Sequence, residues 1–180
     1  MNENEGLHEK LSAIKGRFDE AGLQWAIFAG AAAYCYGSPR RVTDIDILVR
    51  SQDLKEARSA LEGLNVEGFD VGKGAEMKIG RAVCRFFLEE IPAERIQRRE
   101  LFGIEVPVIP VEDNIIFKAF LQRGKEEGKH DIEDIHQMIK HEKTDVEYLR
   151  ERIQKCGCEE RVKPILQPLI PNSWKTTNPT

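Results

Sequence analysis

The chain has 180 residues, a length that fits one domain or a domain with a small helical appendage. Hydrophobic residues make up 41% and charged residues 32%, with a formal net charge of -4, so a sizeable core is available and a basic nucleic-acid coat protein is argued against. Met1 leads into a polar, charged segment, and no apolar run approaches the length of a membrane span, so the expectation is a soluble cytoplasmic protein.

Leu7, Leu11, Ile14 and Phe18 recur at helical spacing, with Gly22 as the stop. Gln24 to Ala29 reads as a short buried strand, and Ala31 to Tyr36 as a small-residue helical turn closed by Gly37-Ser38-Pro39. Asp44 to Val49 is a strand. Ser51 or Asp53 then caps a helix running to about Leu64, with Leu54, Ala57, Leu61 and Leu64 inward. Residues 66–80 carry Gly68, Gly72, Gly74 and Gly80 and read as a turn-rich connection. Ala82–Leu88 is strand-like, Ile91–Leu101 is a charged short helix, and Ile104–Ile109 is an edge strand because Pro107 interrupts it.

After Pro110 the pattern turns helical. Helices are expected around Ile115–Phe120, over His130–His141, and from the capping box Thr144-Asp145-Val146-Glu147 to Gly157. Pro164, Pro168 and Pro171 break up the segment beyond Gly157, and the polar tail is expected to be mobile. The organisation is therefore an α+β chain: a mixed core over residues 1–110, a helical extension over 111–170, and a tail over 171–180.

Arg41-Val42-Thr43-Asp44-Ile45-Asp46-Ile47-Leu48-Val49 carries the clearest chemical signal. Side chains alternate on a strand, so Asp44 and Asp46 emerge on one face while Ile45, Ile47 and Val49 enter the core. Their Cα atoms stand roughly 6.5–7 Å apart, within reach of a common metal ion. Two acidic residues on one strand face repel each other and need a cation or a solvated strand end. Gly30 follows a buried strand and opens a helix. Its backbone amide either faces an anion or simply allows close packing. Arg40 and Arg41 orient phosphates or pair with neighbouring carboxylates. Thr43 holds Asp44 through its hydroxyl or is an ordinary strand residue. Lys118 interrupts the apolar run Ile115–Phe120, and it either snorkels to solvent or faces a cleft and neutralises phosphate.

His130-Asp131 alone does not make a metal-dependent phosphohydrolase, because the further His and Asp ligands are missing from the sequence. The cysteines Cys35, Cys84, Cys156 and Cys158 form no C-x-x-C pair, so free thiols are expected, and Cys156-Gly157-Cys158 is too short and isolated for a zinc site.

Ala29-Gly30-x-Ala32, Gly37, Arg40 or Arg41, and Thr43-Asp44-Ile45-Asp46 together resemble the core motif of the nucleotidyltransferase superfamily. The resemblance points to its small branch of minimal nucleotidyltransferases and AbiEii-type toxins. A second block, Pro110-x-Glu112-Asp113, Lys118 and Lys129-His130-Asp131-Ile132-Glu133-Asp134, is similar to the family's downstream segment. The resemblance implies a small mixed sheet flanked by helices with a helical extension. It implies binding of Mg²⁺ and an NTP and transfer of an NMP group to a protein, a tRNA or a small molecule. In that reading Asp44 and Asp46 are the catalytic metal ligands, Gly30, Arg41, Thr43 and Lys118 contact the nucleotide, and Asp131 organises the helical half.

Two departures stand out. Ala29 replaces the first glycine of the family pair. The third carboxylate of the family is expected on the strand Ala82–Leu88, which contains Arg85 but no acid; Glu89 and Glu90 come directly after it. The expectation is that Arg85 turns toward Asp44 and Asp46 and competes with metal. The alternative to an active transferase is accordingly a catalytically impaired, nucleotide-binding or protein-interaction component of toxin–antitoxin type, with a protein partner.

Overall fold

A computed structural model of the chain describes residues 3–174. Helix α1 (Glu3–Glu20) leads through a tight turn at Gly22 into β1 (Trp25–Phe28), α2 (Ala29–Cys35), β2 (Ile45–Val49) and α3 (Leu54–Ala60). Then come β3 (Phe69–Gly72), β4 (Ala75–Ile79), β5 (Ala82–Phe86), β6 (Gln97–Leu101) and β7 (Ile104–Val108). Four helices close the chain: α4 (Val111–Leu121), α5 (Asp131–His141), α6 (Val146–Cys156) and α7 (Glu159–Leu169). The fold is α+β. A mixed five-stranded sheet of order β3-β2-β1-β7-β6 is flanked by the helices, and β4 and β5 form a separate two-stranded ribbon.

Alternation along the strands divides the interior. Ile27, Ile45, Ile47, Val49, Val106 and Val108 face α1, α2 and α4 in the main core. Ala26, Leu48 and the partly buried Phe28 face the other way and meet Phe86 and Phe117 in a smaller cluster. Ile115, Ile116, Ala119 and Phe120 of α4 belong to the same main core as the sheet, so the helical half continues that core past residue 110.

Five elements differ from the sequence reading; Ala75–Ile79, inside the connection read as turn-rich, is a strand that pairs antiparallel with β5. Phe69–Gly72, read as turn, is a strand, and it pairs in parallel with β2. Gln97–Leu101, read as helix, is a strand hydrogen-bonded antiparallel to β7 through a two-residue turn. Phe102 (φ 52°) and Gly103 (φ 79°) both take the left-handed conformation that such hairpin turns require. The pairing with β7 overrides the helical bias of the charged run.

β7 is an interior strand, between β1 and β6. The N–H of Ile109 donates to Ile27 O at 3.1 Å. Amides two apart point the same way, so the N–H that Pro107 lacks also faces β1. The β1 ladder is accordingly limited to the Ile27–Val108 pair, while the opposite edge of β7 pairs fully with β6.

Pro164 and Pro168 lie inside α7 rather than ending it. They stand four apart on its exposed face, so the carbonyls they leave unbonded open to water. Of the expected mobile tail, Pro171–Trp174 forms a 3-10 turn with Trp174 Nε1 donating to Glu159 Oε1 at 3.0 Å; residues 175–180 lie outside the described residues. Among the described residues no helix is long and apolar enough to cross a membrane.

The turn from β1 into α2 is strained and clamped. Ala29 takes φ 58°, a conformation that costs an L-residue roughly 1–2 kcal/mol, and a glycine in that place would avoid the cost. Asn114 of α4 holds it from both sides: Ala29 N–H donates to Oδ1 at 2.8 Å, and Nδ2 donates back to Ala29 O at 3.1 Å. Asn114→Ala leaves a buried donor and acceptor unsatisfied. A loss of about 2–4 kcal/mol in urea unfolding is expected, at about 1–3 kcal/mol per orphaned group less relaxation; a loss under about 0.5 kcal/mol would show that the turn holds itself.

Candidate functional site

Asp44 lies just before the first residue of β2, and Asp46 is its second residue, paired antiparallel with Phe28 at the end of β1. Ile45, Ile47 and Val49 are buried as the alternation requires, Asp44 is exposed, and Asp46 is half-buried. Thr43 Oγ1 donates to Asp44 Oδ1 at 3.0 Å, which orients that carboxylate. Gly30 is the second residue of α2 and is half-buried, and a side chain built on it would meet nothing within 4 Å.

A third carboxylate, that of Asp70, stands beside the pair. β3 runs parallel to β2 in the register Ile45–Phe69, Asp46–Asp70, Ile47–Val71. Paired residues of neighbouring strands share a face, so Asp46 and Asp70 project together from strands about 4.8 Å apart. Burial first, then the charges of Asp44 and Asp70, raise the Asp46 carboxyl to about 6, and Lys129 and Arg123 pull the other way. The three acids thus share one electrostatic neighbourhood.

Arg85 is elsewhere. Its guanidinium meets Glu90 at 3.1 Å and Glu76 at 3.6 Å and lies over the Phe87 ring. The expected competition between Arg85 and a metal ion is therefore not found. The reason is topological: Ala82–Phe86 pairs only with β4, outside the main sheet. Glu90 is taken by Arg85. Glu89 accepts from the Ser51 N–H at 3.3 Å, beyond the far end of β2, so neither glutamate takes the third place.

Lys129 brings a cation to the acids, with Nζ 3.8 Å from Asp44 Oδ2. Beneath it is a buried ion cluster. Lys118 is almost fully buried and meets Asp131 at 3.0 Å and Asp134 at 2.8 Å. Arg123 donates to Asp131 from its backbone N–H at 2.9 Å and from Nε at 3.0 Å. Ser38 Oγ donates to Asp134 Oδ1 at 2.7 Å. Burial pushes Asp131 up, but the bonds from Arg123 and the charge of Lys118 outweigh it and hold the carboxyl below its ordinary value. Lys118, expected at the nucleotide, is thus spent on neutralising two carboxylates. Asp131 organises the helical half, and the loop it pins carries Arg123 and Lys129. Arg41 lies exposed in the loop that leads to Asp44.

The donor set fits a hard divalent ion: carboxylate oxygens only, mutually repelling, at a solvated strand end. Among the described residues no three His, Cys, Asp or Glu side chains converge into a ready-made cage, so phosphate oxygens and water would complete any shell. A cavity of about 500 Å³ lies at the opposite end of β1 and β2, lined among others by Trp25, Arg50, Ile91 and Arg98, and does not include the acids.

No family model and no curated protein matches the sequence. Solved structures do match. The solution structure of the antibiotic-resistance factor ANT(2'')-Ia superposes with a TM-score of 0.54 at 14% identity, covering 94% of each chain. The crystal structure of ANT(2'')-Ia in complex with adenylyl-2''-tobramycin gives 0.55 at 17% identity, covering 86% of this chain and 98% of that one. The chain has the nucleotidyltransferase fold.

The raised Asp46 sets a pH signature. Its carboxyl titrates near 6 in the folded chain and near 3.9 unfolded, so as pH falls through this window the folded form takes up the proton first and gains stability. Asp46→Asn removes the repulsion. Without added metal it is expected to stabilise the chain by about 1–2 kcal/mol at pH 7.5, after allowance for partial exposure, and by little at pH 4. Thermal melts of both proteins at the two pH values test this; a pH-independent difference would contradict the repulsion.

Proposed function

We propose that this chain is a Mg²⁺-dependent nucleotidyltransferase that binds an NTP and transfers its NMP group to an acceptor hydroxyl. The observation that carries the proposal is the gathering of Asp44, Asp46 and Asp70 on adjacent strand ends beside Lys129. Asp44 and Asp46 hold the metal, which supplies charge neutralisation for the triphosphate and its leaving group. Thr43 keeps Asp44 in its orientation. Asp70 stands beside Asp46 and receives the proton of the attacking hydroxyl. Gly30 in the first turn of α2, with Arg41 and Lys129, accommodates the phosphates, and Lys118 acts at a distance by fixing, through Asp131, the loop of Arg123 and Lys129.

A small-molecule hydroxyl is the acceptor class favoured by the similarity to ANT(2'')-Ia, whose complex contains an adenylylated tobramycin. Fold likeness alone does not assign an acceptor. The impaired-component reading drew on Arg85 and on the lack of a third carboxylate; Asp70 beside Asp46, and Arg85 paired with Glu76 and Glu90, favour the transferase reading instead.

Isothermal titration of NTPs with and without Mg²⁺, followed by transfer of labelled NMP to a panel of polyhydroxylated acceptors, tests the proposal. NTP affinity is expected to depend on Mg²⁺ and to fall at least about tenfold in Asp46→Asn. Asp70→Asn is expected to lose transfer by about 10²–10⁴-fold with a much smaller effect on NTP affinity. Mg²⁺-independent binding that is equal in wild type and Asp46→Asn would refute the metal role.

A further inference from the structure

The cavity of about 500 Å³ at the far end of β1 and β2 has the size and make-up of a small-molecule site. Its floor is apolar: Trp25, Leu88 and Ile91 line it, each less than a tenth exposed. Trp25 is fixed from beneath by Phe18 of α1, edge-on with ring centroids 5.7 Å apart. Pro107 of β7 and its cross-strand partner Arg98 of β6 both border the cavity.

The rim is charged, and the charges do not cancel. Asp19, Arg50, Glu89 and Arg98 all line the cavity. Asp19 is paired with Lys15, which is not part of the lining. Arg50 donates to Gln24 Oε1 at 3.4 Å, and Glu89 accepts from the Ser51 N–H at 3.3 Å; these two carry opposite signs and offset each other. The Arg98 guanidinium has no hydrogen bond, ion pair or ring contact among the described residues. One positive charge is therefore left over beside an apolar floor.

We propose that this cavity binds a small hydrophobic monocarboxylate, with its hydrocarbon body on Trp25, Leu88 and Ile91 and its carboxylate on Arg98. A guanidinium receives a carboxylate through two parallel N–H···O bonds, which gives orientation as well as affinity. A neutral ligand leaves Arg98 unused, and a second negative charge on the ligand meets Glu89 with no spare cation to offset it. The site is separate from the acids. Trp25 pairs with Val49 and Phe28 with Asp46, so three residue steps along β1, about 10 Å, separate the cavity floor from Asp46. The buried Ala26 and Leu48 fill that interval, packed with Phe86 and Phe117.

Titration of 2-naphthoate and of its neutral isostere 2-naphthamide into the isotope-labelled full chain, followed by amide and indole chemical shifts, tests the site. Naphthoate is expected to give saturable shifts at the Trp25 indole N–H and at the amides of Arg50, Glu89 and Arg98, with a Kd of about 1 mM or tighter. Naphthamide is expected to bind about fivefold more weakly, and Arg98→Gln to weaken naphthoate by about the same factor while leaving naphthamide unchanged. Arg98 is exposed, so its replacement leaves the core intact. Absence of a saturable shift at millimolar naphthoate, shifts confined to the surroundings of Asp44, Asp46 and Asp70, equal affinity for the two probes, or naphthoate binding that Arg98→Gln leaves unchanged would each overturn the proposal. Should Arg98→Gln fail to fold, the location of the shifts and the ratio of the two affinities in the wild-type chain decide it.

Discussion

Helix α4 is buried on every side from Val111 to Phe120, and this forces each of its polar side chains to find a partner in the interior. Those partners tie the molecule together. Glu112 accepts the Asp145 N–H at the start of α6. Asp113 takes Arg152 and the Tyr148 hydroxyl, also on α6. Asn114 clamps the strained turn between β1 and α2, and Lys118 joins two carboxylates of α5. Removing any one partner would strand a buried polar group, which costs more than the bond itself is worth.

This arrangement accounts for the site's construction. The acids stand on strand ends, where backbone pairing fixes their spacing. The cations come from the loop between α4 and α5, which the Lys118–Asp131 cluster holds against the sheet. The same cluster explains why Lys118 is unavailable to a ligand. A lysine with two carboxylates within 3.0 Å is already neutralised, and Lys129, with Nζ 3.8 Å from Asp44 Oδ2, remains as the cation beside the acids.

The acidic centre is poised rather than relaxed. Two neighbouring carboxylates and partial burial push Asp46 toward the protonated form, and the nearby lysine and arginine only partly offset them. Such a site stores repulsion, and the proposed divalent cation would relieve it.

The sequence by itself determined the local features. The alternation around Asp44 and Asp46 set their strand and their face, and the helical spacing of Leu11, Ile14 and Phe18 set α1, because both signals repeat within a few residues. The motif order from Gly30 to Asp134 also pointed to the fold. Tertiary structure alone decided what depends on pairing across the chain. Phe69-Asp70-Val71-Gly72 is too short and glycine-flanked to read as a strand; only its register against Ile45–Leu48 makes it one and sets Asp70 beside Asp46. A signal was present, since Phe-Asp-Val repeats the apolar–acid–apolar pattern of Ile45-Asp46-Ile47. Arg85 was misplaced for the complementary reason. The strand character of residues 82–86 is legible locally, but the sheet it joins is chosen by long-range contacts that no local pattern encodes. Lys118 was read as facing either solvent or a ligand, and its interior place was missed, because its partners Asp131 and Asp134 are brought to it only when α5 packs against α4.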